Sequence, residues 1–285
     1  MAVTIRRAAG EDAPELGRIC YAAFKEIAEA HGFPPDFPSP EVASGAIAGL
    51  IARPASFGVV AELDGRIVGS NFLDLRNPIS GVGPITVDPD VQNGSVGRAL
   101  MAAVMAESER RGFAGVRLVQ AGYHCRSLAL YLKLGFEARE HLVCLQGSTS
   151  GVSLAGYAVR AAGPEDASAC NALSLRIHGH ARAGELADAI AEGRARVVER
   201  DGRLTGYATD IAFFAHAVGE SNDDLKALIG AAHAIGGPGF LAPTRNGELV
   251  RWCLDEGLVV VQPLTLMSRG LYQSPEGAWL PSVLY

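Results

Sequence analysis

The 285-residue sequence predicts an α/β chain of two similar domains in tandem, each a mixed β-sheet flanked by helices, and three observations carry that expectation. A chain of this length with 48% hydrophobic residues can bury two ordinary cores and is long for one. Ile5 to Ala13 (IRRAAGEDA) lines up with Val159 to Ala167 (VRAAGPEDA), sharing Arg6/Arg160, Ala8/Ala162, Glu11/Glu165, Asp12/Asp166 and Ala13/Ala167. Glu62 to Gly69 (ELDGRIVG) matches Glu199 to Gly206 (ERDGRLTG), each with an Asp-Gly pair between apolar runs, a strong hairpin signal. The two echoes occur in the same order in both halves, as duplication requires.

The elements of the first half follow in turn. A short strand near Thr4 to Arg7 precedes a helix opened at Asp12, in which Leu16, Ile19, Cys20, Ala23, Phe24 and Ile27 recur at helical spacing. Phe33 to Pro40 (FPPDFPSP) breaks it, and a second helix is expected over Glu41 to Ala52. The hairpin strands Phe57 to Leu63 and Ile67 to Leu75 come next, then a strand covering Gly81 to Val87 and a turn at Asp88-Pro89-Asp90. Arg98 to Arg111 reads as a helix through Leu100, Met101, Val104, Met105 and Ser108, Val116 to Gln120 as a strand, and Arg126 to Leu134 as a helix closed by Gly135-Phe136. A last strand runs to Leu145. The Gly/Ser-rich link Gln146 to Gly156 sets the expected division: residues 1–147, a linker at 148–156, and residues 157–285.

Composition narrows the function. Lys plus Arg number 25 against 31 Asp plus Glu, a balance of −6, so total charge favours neither nucleic acid nor an anionic membrane, and a small-molecule partner fits better. Five cysteines, Cys20, Cys125, Cys144, Cys170 and Cys253, show no metal-ligand spacing and point to a reduced, cytoplasmic setting. Arg6, Arg7, Glu11 and Asp12 stand where a signal core would be apolar, so the chain is read as soluble. No metal is expected.

The chemistry lies in the loop Gln92, Asn93, Gly94, Ser95, Val96, Gly97, Arg98, set between a strand and a long helix. Small residues let successive backbone N–H groups approach an anion, and the helix aims the positive end of its dipole at the same point. The loop resembles the Q/R-x-x-G-x-G/A motif of the GNAT superfamily of N-acetyltransferases. Ser95 stands where that family has its first glycine, which is acceptable only if the backbone there is ordinary. His124 to Phe136 (HCRSLALYLKLGF) resembles the family's N-x-x-A-x-x-x-Y-x-x-x-G-F segment, with Tyr131, Gly135 and Phe136 in place and His124 and Ser127 departing from it. A dinucleotide-binding fold would carry its glycine fingerprint after the first strand, whereas this loop follows the fourth.

The resemblance implies two GNAT-like domains in tandem, each a twisted mixed β-sheet flanked by helices. It also implies an acyltransferase with acetyl-CoA as acyl donor and an amine, small or peptidic, as acceptor. By it, the backbone of Ile85, Thr86 and Val87 pairs with the pantetheine arm, Gln92 through Arg98 hold the pyrophosphate, and Tyr131 is the acid for the leaving thiolate. A phenol of ordinary pKa ~10 protonates a thiolate of conjugate acid ~8.5 only uphill, so positioning must contribute. Glu62, Asp74, Tyr123 and His124 are open as general base; Glu62 reads more simply as a solvated hairpin acid, and His124 as a helix cap. Cys125 and Cys144 read as core thiols.

Aligned by its echoes, the second half brings a strand over Ala212 to His216 toward Val218-Gly219-Glu220-Ser221-Asn222-Asp223-Asp224, placing two aspartates where a phosphate loop belongs. Cys253 takes the tyrosine's place in Asn246 to Leu258. The second half is thus expected to have lost coenzyme binding and to complete the acceptor site or a dimer surface, with a homodimer left open. The apolar tail Tyr272 to Tyr285 is expected to dock in a groove. The rival reading is a non-catalytic acyl-CoA sensor or partner-binding module.

Overall fold

The two Asp-Gly pairs that revealed the repeat close two hairpins of the same geometry. In the computed structural model, which describes residues 3–92, 94–149, 151–232 and 235–284, Asp64 and Asp201 both have φ 52°, followed by Gly65 at 76° and Gly202 at 71°. Consecutive positive φ values make the two-residue loop whose twist matches antiparallel strands. The other echo is equally physical. Arg6 pairs with Asp12 at 2.8 Å and Glu62 at 2.7 Å, and Arg160 pairs with Asp166 and Glu199, both at 2.7 Å. Each arginine ties its first strand to the start of the next helix and to the hairpin.

The first half runs β1 (Val3–Arg7), α1 (Ala13–Ala30), α2 (Pro40–Ala52), β2 (Ser56–Leu63), β3 (Arg66–Asp74), β4 (Ile79–Val82), β5 (Thr86–Val87), α3 (Val96–Arg111), β6 (Gly115–Ala121), α4 (Cys125–Lys133) and β7 (Glu137–Gln146). The second repeats this order with β8 (Tyr157–Ala161), α5 (Ala167–His178), α6 (Ala183–Ala191), β9 (Arg196–Arg200), β10 (Arg203–Ala208), β11 (Ala217–Gly219), α7 (Asn222–Gly230), β12 (Phe240–Pro243), α8 (Gly247–Asp255) and β13 (Val259–Gly270), then adds β14 (Ala278–Leu280). Local chemistry accounts for the boundaries. α1 buries Leu16, Ile19 and Cys20, α2 starts at the Ser39 cap with Pro40 behind it, and α3 ends at Gly112 with φ 74°.

Two expected strands are corrected. Gly81 to Val87 is not continuous: Gly83 takes φ 141° and Pro84 has no N–H to pair, so β4 stops at Val82 and β5 resumes at Thr86. Ala212 to His216 is mostly turn, because the Thr209 N–H and hydroxyl bond back to His216 and close a loop around Phe213 and Phe214.

The halves exchange strands. The larger sheet runs β1-β2-β3-β4-β6-β13-β7-β12, with β5 on β3, and the smaller runs β14-β11-β10-β9-β8. β13 thus lies between β6 and β7, pairing Leu264 with Ala121 on one side and with Leu142 on the other. β12 of the second half in turn covers the outer edge of β7. Residues 148–156 contain no helix or strand among those described, while the sheet itself passes from one half to the other.

A buried ionic cluster seals the same junction. Glu185 on α6 meets Arg182 and the ring of His216, and Arg76 and Asn77, from the turn after β3, reach it at 3.4 and 3.1 Å. Burial pushes the Glu185 carboxyl up, but Arg182, His216 and Arg76 outweigh it and hold the group well below the ordinary range. The tail beyond β14 docks between the halves: Val283 N–H donates to Phe213 O at 2.9 Å. Gly81 passes so near Leu284 that an added Cβ would lie 2.0 Å from its carbonyl oxygen. No helix among the described residues is long and apolar enough to cross a membrane.

Candidate active site

The gap in the sheet creates the site. β4 pairs in parallel with β6 from Ile79/Gly115 to Gly81/Arg117, after which β5 stays with β3, and the rest of β6 keeps β13 on its other edge but has no strand on the β4 side among the described residues. Ile85, Thr86 and Val87 therefore face Leu118 to Ala121 across a cleft rather than across a ladder, and among the described residues no strand pairs with the outer edge of β5. A cavity of about 1220 Å³ fills this gap, and Gln92, Gly94, Val96, Gly97, Arg98 and Tyr131 line it with them.

At one end stands the beginning of α3. Ser95 is its N-cap at φ −86°, ψ −2°, ordinary backbone for serine, so the departure from the family's glycine causes no strain. Ser95 makes no side-chain cap and the first turn carries no acid, so the opening N–H groups of α3 retain their donor capacity. Neither Gly94 nor Gly97 has positive φ, and a Cβ added to either meets nothing closer than 3.6 Å. The fold itself does not demand glycine at these positions. Gln92 braces the loop by donating to Val87 O at 3.1 Å and accepting from Arg126 at 2.7 Å. Asn93 lies outside the described residues.

Tyr131 projects from α4 into the cavity, 6% exposed and edge-on to Phe136 at 6.1 Å between ring centres. Burial pushes its phenol up, so it is a protonated hydroxyl at neutral pH. Side chains alternate along β6, placing Gln120 on the same face as Leu118, which packs in the core with Tyr131, while Val119 and Ala121 point to the opposite face. Gln120 is 6% exposed, and among the described residues neither its amide nitrogen nor its amide oxygen has a partner.

The candidate bases separate. Glu62 is held by Arg6 at the hairpin and Asp74 by Arg76 at 2.9 Å, and neither lines the cavity. His124 does, but it is no side-chain cap; its Nδ1 contacts the Ser127 hydroxyl, its Nε2 is buried without a partner, and burial, helped by Arg126 and His31, holds it down to about 4. Tyr123 also lines the cavity, stacked on Phe33 at 4.4 Å and pushed up to about 12 by burial and then by Asp36. Cys144 is a core thiol as expected, whereas Cys125, in the first turn of α4, is exposed.

Sequence reasoning missed Asp36 and Gln262. Asp36 sits in the proline-rich break between α1 and α2, lines the cavity, and accepts from Gln262 Nε2 at 2.8 Å, while Gln262 Oε1 accepts from Tyr123 at 3.1 Å. Gln262 belongs to the exchanged strand β13, and Phe213, Pro238, Leu264 and Leu284 of the second half line the same cavity. Three prolines around one acid in a short loop were the available signal for Asp36; Gln262 had none, because its location depends on the exchange.

The corresponding places in the second half are closed. α7 begins at Ser221, whose N–H and hydroxyl both donate to Asp224 at 2.8 Å, and the other oxygen of Asp224 accepts from Thr205. The helix end that would receive an anion is filled by its own carboxylate. Cys253 replaces the tyrosine and is fully buried.

Residues 21–136 match the acetyltransferase (GNAT) family. A mycothiol acetyltransferase of Saccharomonospora viridis is 32% identical over 93 residues, which is 30% of this chain and 30% of that protein. The match thus spans under a third of the relative's length. In structure the chain is similar to a GCN5-related N-acetyltransferase of Sphaerobacter thermophilus, at TM-score 0.62 and 16% identity over 95% of this chain and 96% of that one. It is also similar to a tandem GNAT protein from the clavulanic acid biosynthesis pathway, at TM-score 0.56 and 15% identity over 96% and 100%. At such identities the likeness is one of fold. Residues 21–136 thus match the acetyltransferase (GNAT) family model, and 96% of the chain shares the fold of a tandem GNAT protein.

Proposed function

We propose that this chain transfers an acetyl or other acyl group from an acyl-coenzyme A to an amine, with one working site, in residues 1–147, and a second unit, residues 157–285, that walls the acceptor side. The observation that carries this reading is the meeting, in one cavity, of the uncapped start of α3, the unpaired edge of β5 and the Tyr131 hydroxyl. Acetyl-CoA supplies an activated thioester. The N–H groups of Ser95 to Arg98 would hold its diphosphate, with Gln92 fixing the loop and Ile85 to Val87 offering strand-like bonds to the pantetheine amides. The partnerless amide of Gln120 offers a donor and an acceptor on the same side as Tyr131.

The opposite side of the gap is left for the acceptor. A free amine entering there attacks the thioester carbonyl, and Tyr131, kept protonated by burial, gives its proton to the departing thiolate. The ammonium gives up one proton before attack and a second after it, both released toward the Asp36 side, where solvent takes them up, and solvent returns a proton to the Tyr131 phenolate. Thiol release from acetyl-CoA with a panel of amines, compared between the native chain and Tyr131→Phe, tests the proposal. Coenzyme binding without thiol release for any amine would make the protein a sensor instead.

A further inference from the structure

Resting on that reading, we infer that Asp36 is the anchoring group for the acceptor, and that the acceptor is a monocationic amine on an apolar body, held between the two halves. Asp36 lines the same cavity as Phe24 and Phe37 from the first half and Phe213 and Leu284 from the second, with neutral Gln262 and Tyr123 beside it. It makes no ion pair among the described residues, and it accepts a hydrogen bond from neutral Gln262. A carboxylate held in apolar surroundings by one neutral donor is costly, and an ammonium ion is the ligand that offsets the cost.

The group is rigidly placed. Pro34, Pro35 and Pro38 restrict the loop, Phe33 stacks on Tyr123 at 4.4 Å, and Phe37 packs on Phe24 at 6.2 Å. Gln262, reaching across from β13 and itself braced by Tyr123, fixes the carboxylate's orientation and makes the second half a positioning part of the site. Burial raises the Asp36 carboxyl, with the hydrogen bond from Gln262 opposing it.

The charge count sets the class of acceptor. The other acid on the wall, Asp210, faces Arg194 at 3.9 Å, so a polyamine or aminoglycoside would bring cations that find no second free carboxylate. A zwitterionic amino acid anchored at Asp36 would carry its carboxylate beside the same acid, and among the described residues neither Arg53 nor Arg194, which also line the cavity, forms an ion pair with Asp36. A single ammonium on an aromatic or aliphatic body satisfies both the charge and the wall.

The test is calorimetric titration of phenethylamine, spermidine and phenylalanine into the coenzyme A-loaded chain, with the coenzyme titration recorded on every sample. Phenethylamine is expected to bind most tightly of the three, and Asp36→Asn to weaken it about tenfold to a hundredfold, with coenzyme affinity unchanged within about twofold. Gln262→Leu should weaken it by a smaller factor without altering coenzyme binding, and supplies a second variant should Asp36→Asn fold poorly. Tighter binding of spermidine or phenylalanine, no binding of phenethylamine, or indifference to both substitutions overturns the inference while coenzyme binding persists. Absence of coenzyme binding by the native chain instead removes the acyltransfer reading beneath it.

Discussion

Replacing Gly97 by aspartate separates the fold of the α3 loop from its chemistry. Gly97 lies in the first turn of α3 on the cavity wall, and a Cβ there would meet Leu130 at 3.6 Å and Val87 at 3.9 Å, ordinary contacts that let a side chain enter without moving the backbone. An acid in the first turn of a helix stabilises it by about 0.3–1 kcal/mol, so the free protein should unfold no earlier than the native chain. Against a bound diphosphate the same charge is repulsive. At ~5 Å and an effective dielectric constant of ~20, one charge pair costs about 3 kcal/mol, roughly two hundredfold in affinity. Gly97→Ala, which adds bulk without charge, should bind coenzyme A nearly as well as the native chain. Calorimetric titration with coenzyme A, alongside thermal unfolding of the free proteins, measures both effects. Binding by Gly97→Asp within a few-fold of native would refute the placement of the diphosphate at this helix end.

Tyr131→Phe should leave acetyl-CoA affinity within about twofold of native and lower amine-dependent thiol release on the order of a hundredfold, read by a thiol-trapping assay. Asp36→Asn should stabilise the free protein: a carboxyl raised by burial binds its proton more tightly when folded, so native stability falls as pH rises above the ordinary carboxylate range near ~4. The advantage of the asparagine variant in denaturant unfolding should therefore appear at pH ~7 and vanish at pH ~3.5. Glu185→Gln removes the anion that Arg182, His216 and Arg76 surround, and should cost about 3–5 kcal/mol in the same measurement. Truncation after residue 156 removes β13 from between β6 and β7, and the bared edges should make the first half aggregate, read by size-exclusion chromatography.

The sequence made the repeated elements legible because their signals are local. Arg6 and Arg160 announce the same ion-pair cluster, and Asp64-Gly65 and Asp201-Gly202 the same turn. The closed second site was readable too, since Asp224 within three residues of Ser221 is a capping box in sequence as well as in space. The wall of the cavity was not readable. Gln262 is 226 residues from Asp36, and their contact follows from the exchange of β13, which no local pattern encodes. The bases proposed near the hairpin proved to be committed elsewhere, Glu62 to Arg6 on the neighbouring strand and Asp74 to Arg76 two residues on.

Backbone amide shifts, followed by heteronuclear NMR during titration with coenzyme A, test the phosphate cradle most directly. The account predicts that the N–H signals of Ser95, Val96, Gly97 and Arg98 move furthest, while those of Ser221 to Asp224 at the start of α7 stay in place. Saturating coenzyme with the amides of residues 95–98 unmoved, or with the α7 amides moving as far, would contradict it.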